Sequence, residues 1–264
     1  MDKFSANHSM EEISEYIISS DHGMEQLREY DVVLNEDATM DIVFKDGKKL
    51  SDFLPSELKI IDTPDFNKPL MHRNLSENGE VQSLEVRINH EWLKEGRYEK
   101  VAIFAHEIGH ALATEEEILR NKKLKDLYEH HLPLEILDDN VKSYMTFYFL
   151  KRASNTLENE TQAWNYGKII ASLFGVSDTQ YEDVMRPQIE GMYYAVYSPT
   201  YDAIKELYKG DLSLINREIA YPIYDLTQQE EIQVTAEELL SIFKELDENK
   251  YRRNEKEIKR YKGY

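Results

Sequence analysis

The stretch that most restricts how this chain can fold is residues 98–113, YEKVAIFAHEIGHALA, which is apolar almost throughout yet carries His106, Glu107 and His110. Between Lys100 and Glu115 the only Asp, Glu, Lys or Arg is Glu107. A helix that is hydrophobic all round is buried, and burying ionisable groups is costly unless something replaces their lost hydration. On an α-helix, residues four apart differ by about 40° around the axis and about 6 Å along it, so both imidazoles reach one point. Two nitrogen ligands converging in apolar surroundings suit a zinc ion, with Glu107 placed to reach a water molecule beside it. The competing reading is an accidental pentad, two helix-face histidines and a solvated glutamate; the apolar flanks argue against it.

Composition removes other chemistries. The chain of 264 residues has no cysteine, which excludes disulfides, thiolate metal sites and cysteine nucleophiles. A formal charge of −19 disfavours nonspecific nucleic-acid binding and favours solubility. The charge is uneven, because residues 250–262 hold seven Lys or Arg against two Glu. Such a basic end either docks on an acidic body or acidic partner, or is a solvated helix end. No apolar run approaches the roughly twenty residues that cross a bilayer. The polar start MDKFSANHSMEE lacks the apolar core of a secretory signal. A cytoplasmic protein is expected, with export lacking a cleavable signal left open.

Along the chain, Ser9 and Glu12 form a capping box ahead of Met10, Ile13 and Ile17, and a second short helix is expected over 23–30. Strand signals follow at 31–34, at Met40, Ile42 and Phe44, at 58–61, and at Leu84, Val86 and Ile88 alternating with Glu85 and Arg87. Thr114 with Glu117 reads as a capping box, ending the HEIGH helix near Ala113 and starting a charged helix to about His131. Pro133 opens another helix through Tyr144 and Phe149, with His130 and His131 in the turn between. Asn155 with Glu158 caps a helix that Gly175 closes. Ser198 and Pro199 start one that Gly210 ends, Pro222 interrupts the next segment, and Thr235 with Glu238 caps a last helix. The expected organisation is a single α+β domain over 1–264, comprising N-terminal helices and sheet (1–95), metal-site helices (96–175) and a helical C-terminal part (176–264).

Two histidines leave a catalytic zinc one protein ligand short. Residues 155–175, NTLENETQAWNYGKIIASLFG, are the best source. On that helix Glu160 shares a face with Ala163, Trp164, Gly167, Ala171 and Phe174, whereas Glu158 lies with Thr161, Gln162 and Asn165. Small residues at 163, 167 and 171 allow the close helix approach that a shared metal requires.

His106-Glu107-Ile108-Gly109-His110 resembles the zincin metallopeptidase motif. A metzincin continuation is absent, since Glu116 stands where its third histidine belongs. Glu160 with Ala163 resembles the ExxA pattern of several gluzincin families, with Trp164 where many members carry an aspartate that orients a histidine. The helical insert between His110 and Glu160 gives a loose architectural likeness to the catalytic domain of anthrax lethal factor. The resemblance implies a zincin-like α+β fold, with a small twisted mixed sheet whose edge strand lies beside the buried HExxH helix, and a mostly helical C-terminal part. Residues 84–89 are the candidate edge strand for pairing with extended substrate. It further implies one zinc per chain on His106, His110 and Glu160, and Glu107 as general base for attack of water on a peptide carbonyl. An oxyanion donor is expected from the downstream stretch GMYYAVY, with Tyr197 first and Tyr194 next. The expected function is a zinc-dependent endopeptidase acting on a peptide or protein substrate. A non-catalytic binding or regulatory protein on the same scaffold, and a secreted toxin or effector protease, stay open.

Overall fold

Apolar alternation in the N-terminal half becomes strands. A computed structural model describes residues 27–76, 78, 80–131 and 139–261. The expected helix over 10–17, most of that over 23–30, Pro133 and the side chains of the basic end lie outside the described residues. Two units are distinguished, Met1–Glu117 with Asn159–Pro187 and Ile118–Glu158 with Gln188–Tyr264.

In the first unit, β1 (Tyr30–Leu34) pairs antiparallel with β2 (Met40–Phe44), whose Met40, Ile42 and Phe44 are buried. Tyr30, the expected end of a helix, is therefore the first residue of a strand. A second, mixed sheet joins β3 (Leu58–Asp62), β4 (Leu70–Leu75) and β5 (Val81–Ile88) in the order β3-β5-β4. β3 runs parallel to β5 and β4 antiparallel to it. Leu84, Val86 and Ile88 point to one face and are fully buried.

The sheet order corrects the expected edge. Residues 84–88 belong to the central strand, and the edges are β3 and β4, of which β4 carried no recognised strand signal. The reason is physical: the apolar residues of β4 do not alternate, and its Leu70 and Leu75 are each 46% exposed, so it shows no regular buried face.

After β5, Asn89 caps the short helix α1 (His90–Lys94) by accepting from the Glu91 N–H. Helix α2 (Tyr98–Leu112) packs on β4 and β5 and ends at Ala113 as expected. It is followed by α3 (Thr114–His131), α4 (Asp139–Leu173) and α5 (Asp178–Leu207). Two expected helix starts are interior positions. Asn155 is buried inside α4, and Pro199 lies within α5. Gly175, at φ 79°, does close α4, in the left-handed conformation that favours glycine.

The second unit is built around Leu150, Leu157, Tyr197, Tyr201, Ile204, Tyr224, Leu239 and Phe243. Its hairpin, β6 (Tyr221–Asp225) and β7 (Glu230–Val234), replaces expected helix. Pro222 is tolerated because in a two-stranded ribbon every strand is an edge. Helix α6 (Ala236–Tyr261) starts at the capping box read from the sequence: Thr235 N–H donates to Glu238 at 2.7 Å and Glu238 N–H to Thr235 Oγ1 at 3.3 Å. The fold is thus α+β, mostly helical after β5. Among the described residues no helix is long and apolar enough to cross a membrane.

Candidate metal centre

Two glycines bring the site's helices together. A Cβ on Gly109 of α2 would overlap the carbonyl oxygen of Ala163 on α4, and one on Gly167 would lie 2.8 Å from the carbonyl oxygen of Ala105. The helices therefore meet backbone to backbone at Ala163 and Gly167, two of the small residues singled out in the sequence.

At this contact His106, His110 and Glu160 converge, with one ligand atom from each lying within 4.8 Å of the others. Glu160 Oε2 is 3.5 Å from His106 Nε2 and 3.6 Å from His110 Nε2. These separations are long for hydrogen bonds. They match the spacing of about 3.3–3.4 Å between ligands held at 2.0–2.1 Å around a tetrahedral centre. Two imidazole nitrogens and a carboxylate oxygen are also a donor set that zinc takes. The residues fit the ion.

The surroundings hold each group differently. Glu107 Oε2 accepts from the Met71 N–H of β4 at 2.7 Å. Glu117 Oε1 lies 3.2 Å from His110 Nδ1, and Glu117 Oε2 accepts from Arg73 Nη2 at 2.6 Å. The Trp164 ring stacks on His106 at 4.0 Å between centroids and 18° between planes. His106 Nδ1 is buried without a hydrogen-bond partner among the described residues. The Trp164 ring is packed in turn by the Tyr181 ring, edge-on at 5.5 Å, and Tyr181 donates its hydroxyl to the Trp164 carbonyl at 2.8 Å.

Electrostatics set the two histidines apart. Burial holds His106 below its ordinary value. Burial opposes the charged form of His110 as well, but the Glu117 and Glu160 carboxylates outweigh it and push His110 up to about 10. Glu160 is driven down to about 2, because the two imidazoles outweigh its own burial. Glu117 is lowered in the same way by His110 and Arg73 against its desolvation. Three acidic side chains, Glu107, Glu117 and Glu160, thus gather around two imidazoles and Arg73, which favours an added cation.

Of the residues expected at the site, His106, His110 and Glu160 come together and Glu107 adjoins them on α2. The tyrosines are core residues of the second unit. Tyr197 is fully buried and its hydroxyl accepts from the Tyr224 N–H at 2.8 Å, so it has no free face to offer an oxyanion. Tyr194 is half-buried, with Asn249 Nδ2 donating to its hydroxyl at 3.3 Å. His130 and His131 end helix α3 rather than forming a turn. Sequence reading missed Glu117, Arg73 and Met71. Glu117 carried no periodicity signal, because α2 ends between it and His110. It does not form the expected capping box, because Thr114 Oγ1 donates back to the His110 carbonyl.

Comparison with protein-family models, with curated proteins and with solved structures gave no match, so the chemistry of this site is read from its own geometry.

Proposed function

We propose that this chain is a zinc-dependent metallopeptidase of the gluzincin type that hydrolyses peptide bonds in a peptide or protein substrate. The observation that carries the reading is the 3.5 and 3.6 Å spacing of two imidazole nitrogens from one carboxylate oxygen, with Glu107 on the same helix. His106, His110 and Glu160 hold one ion. A bound zinc ion supplies Lewis acidity and lowers the pKa of water toward about 7. Glu107 takes the proton of the attacking water and returns it to the leaving nitrogen. Its Oε2 is steadied by the Met71 N–H, leaving Oε1 for the proton. Among the described residues no strand pairs with the side of β4 away from β5, where an extended peptide would add.

The test is purified protein assayed for metal content and for cleavage of a denatured protein substrate. Wild type is expected to hold one zinc per chain. Glu107→Gln keeps the zinc and the fold and loses cleavage by about 10²–10⁴-fold. Folded protein that holds no zinc, or Glu107→Gln that cleaves like wild type, would overturn the reading.

A further inference from the structure

His110 is gripped on the side away from Glu160. Glu117 meets its Nδ1 at 3.2 Å and is clamped in turn by Arg73 at 2.6 Å. The three side chains are largely covered, 16% exposed for Arg73 and His110 and 10% for Glu117. They come from three elements: His110 from α2, Glu117 from α3, and Arg73 from the edge strand β4, two residues after the Met71 whose N–H holds Glu107.

A carboxylate bonded to the far nitrogen of a ligating imidazole fixes the tautomer and the ring orientation. With Nδ1–H donated to Glu117, the lone pair of Nε2 faces Glu160. A merely stabilising role is a poor explanation for this arrangement. A buried ion pair adds little net stability, because desolvating both groups offsets their attraction. His106 sharpens the point. Its Nδ1 has no partner among the described residues and its ring is held by stacking on Trp164, so only one of the two imidazoles is oriented by charge.

We propose that Glu117 is the positioning residue of the metal centre, acting through His110, and that Arg73 ties it to β4, so that ligand orientation and edge-strand placement are set together. The proposal rests on the metallopeptidase reading for the identity of the ion. The connection itself is made by side chains of this chain.

The experiment uses the full chain and two readouts other than activity. Zinc affinity is measured by competition with a chromophoric chelator, and the visible absorption of the cobalt(II)-substituted protein reports ligand geometry. Glu117→Ala is expected to weaken zinc binding by about 10–100-fold and to shift the cobalt bands. Glu117→Gln, which keeps an acceptor for Nδ1–H, recovers part of that loss. It also serves as the tested variant if the alanine protein does not fold. Arg73→Met weakens binding less than Glu117→Ala, and Arg73→Lys recovers it. Unchanged affinity and cobalt bands in Glu117→Ala, or equal losses in Glu117→Ala and Glu117→Gln, overturn the positioning role. Wild type that takes up neither metal overturns the metallopeptidase reading, a result seen before any variant is made.

Discussion

Both units bury polar side chains, and they use them in opposite ways. In the core of the second unit the Tyr197 hydroxyl accepts from the Tyr224 backbone and the Tyr221 hydroxyl donates to the Asn216 carbonyl. Both of these hydroxyls bond to the main chain. In the first unit His106, His110 and Glu160 aim at one another across distances too long for good hydrogen bonds, and Glu107 stands beside them. The lesson concerns direction rather than burial. A buried polar group that ends on the backbone is architecture, whereas several that end on a common point form a site.

The largest test of that contrast is Glu107→Gln, whose expected loss of cleavage, about 10²–10⁴-fold with zinc retained, has no counterpart among the tyrosines. Next comes Gly109→Ala, which forces α2 and α4 apart at the Ala163 carbonyl. Urea unfolding should show a destabilisation at or above the usual overpacking range of about 1–3 kcal/mol, together with weakened zinc binding. Tyr197→Phe removes the hydroxyl that accepts from the buried Tyr224 N–H and should cost about 1–3 kcal/mol in the same assay, with cleavage per folded molecule unchanged. A loss of turnover in Tyr197→Phe at unchanged stability would restore that tyrosine to the reaction and break the comparison.

A pH series on the metal-free protein sharpens it further. His110, raised from 6.5 to about 10 in the folded state, contributes stability that is fully present below about pH 6.5 and is lost as pH rises through about 10. Glu160, lowered from 4.5 to about 2, contributes stability present above about pH 4.5 and lost as pH falls through about 2. Urea midpoints should therefore decline on both sides of the interval from about pH 4.5 to 6.5, and Glu117→Gln should flatten the alkaline side. Equal alkaline slopes in the two proteins would show that Glu117 does not govern His110. The smallest effect is Gly191→Ala on α5, where a Cβ meets nothing within 4 Å. It should stabilise the protein by about 0.5–1 kcal/mol, the opposite sign to Gly109→Ala.

The site was legible in the sequence where one helix carries the information. HEIGH fixed two converging imidazoles by periodicity, and the buried face of 155–175 separated Glu160 from Glu158. What escaped was whatever depends on contact between distant segments. Arg73 and Met71 matter through residues 44 and 36 positions away, and no local pattern announces that. Glu117 was seen and misassigned, because an acidic residue three after a threonine fits a helix cap as well as it fits a partner for His110. In the sheet, regular alternation marked β5 as a strand without showing that it lies at the centre, and the edge strand β4 is quiet because its apolar residues do not alternate. Asn155 and Pro199 show the limit of punctuation residues: a helix already propagating on either side carries them in its interior.

The meeting of α2 and α4 through Gly109 and Gly167 has a consequence for metal choice. No side chain separates the two backbones at that contact, so the distance between the ligand-bearing helices is a property of the main chain. On the proposed metal reading, replacing Glu160 by histidine or aspartate is expected to alter which cation the site prefers without changing the frame that presents it. Selectivity and scaffold are separately adjustable here, and a panel of Glu160 variants can explore the first while the second stays fixed.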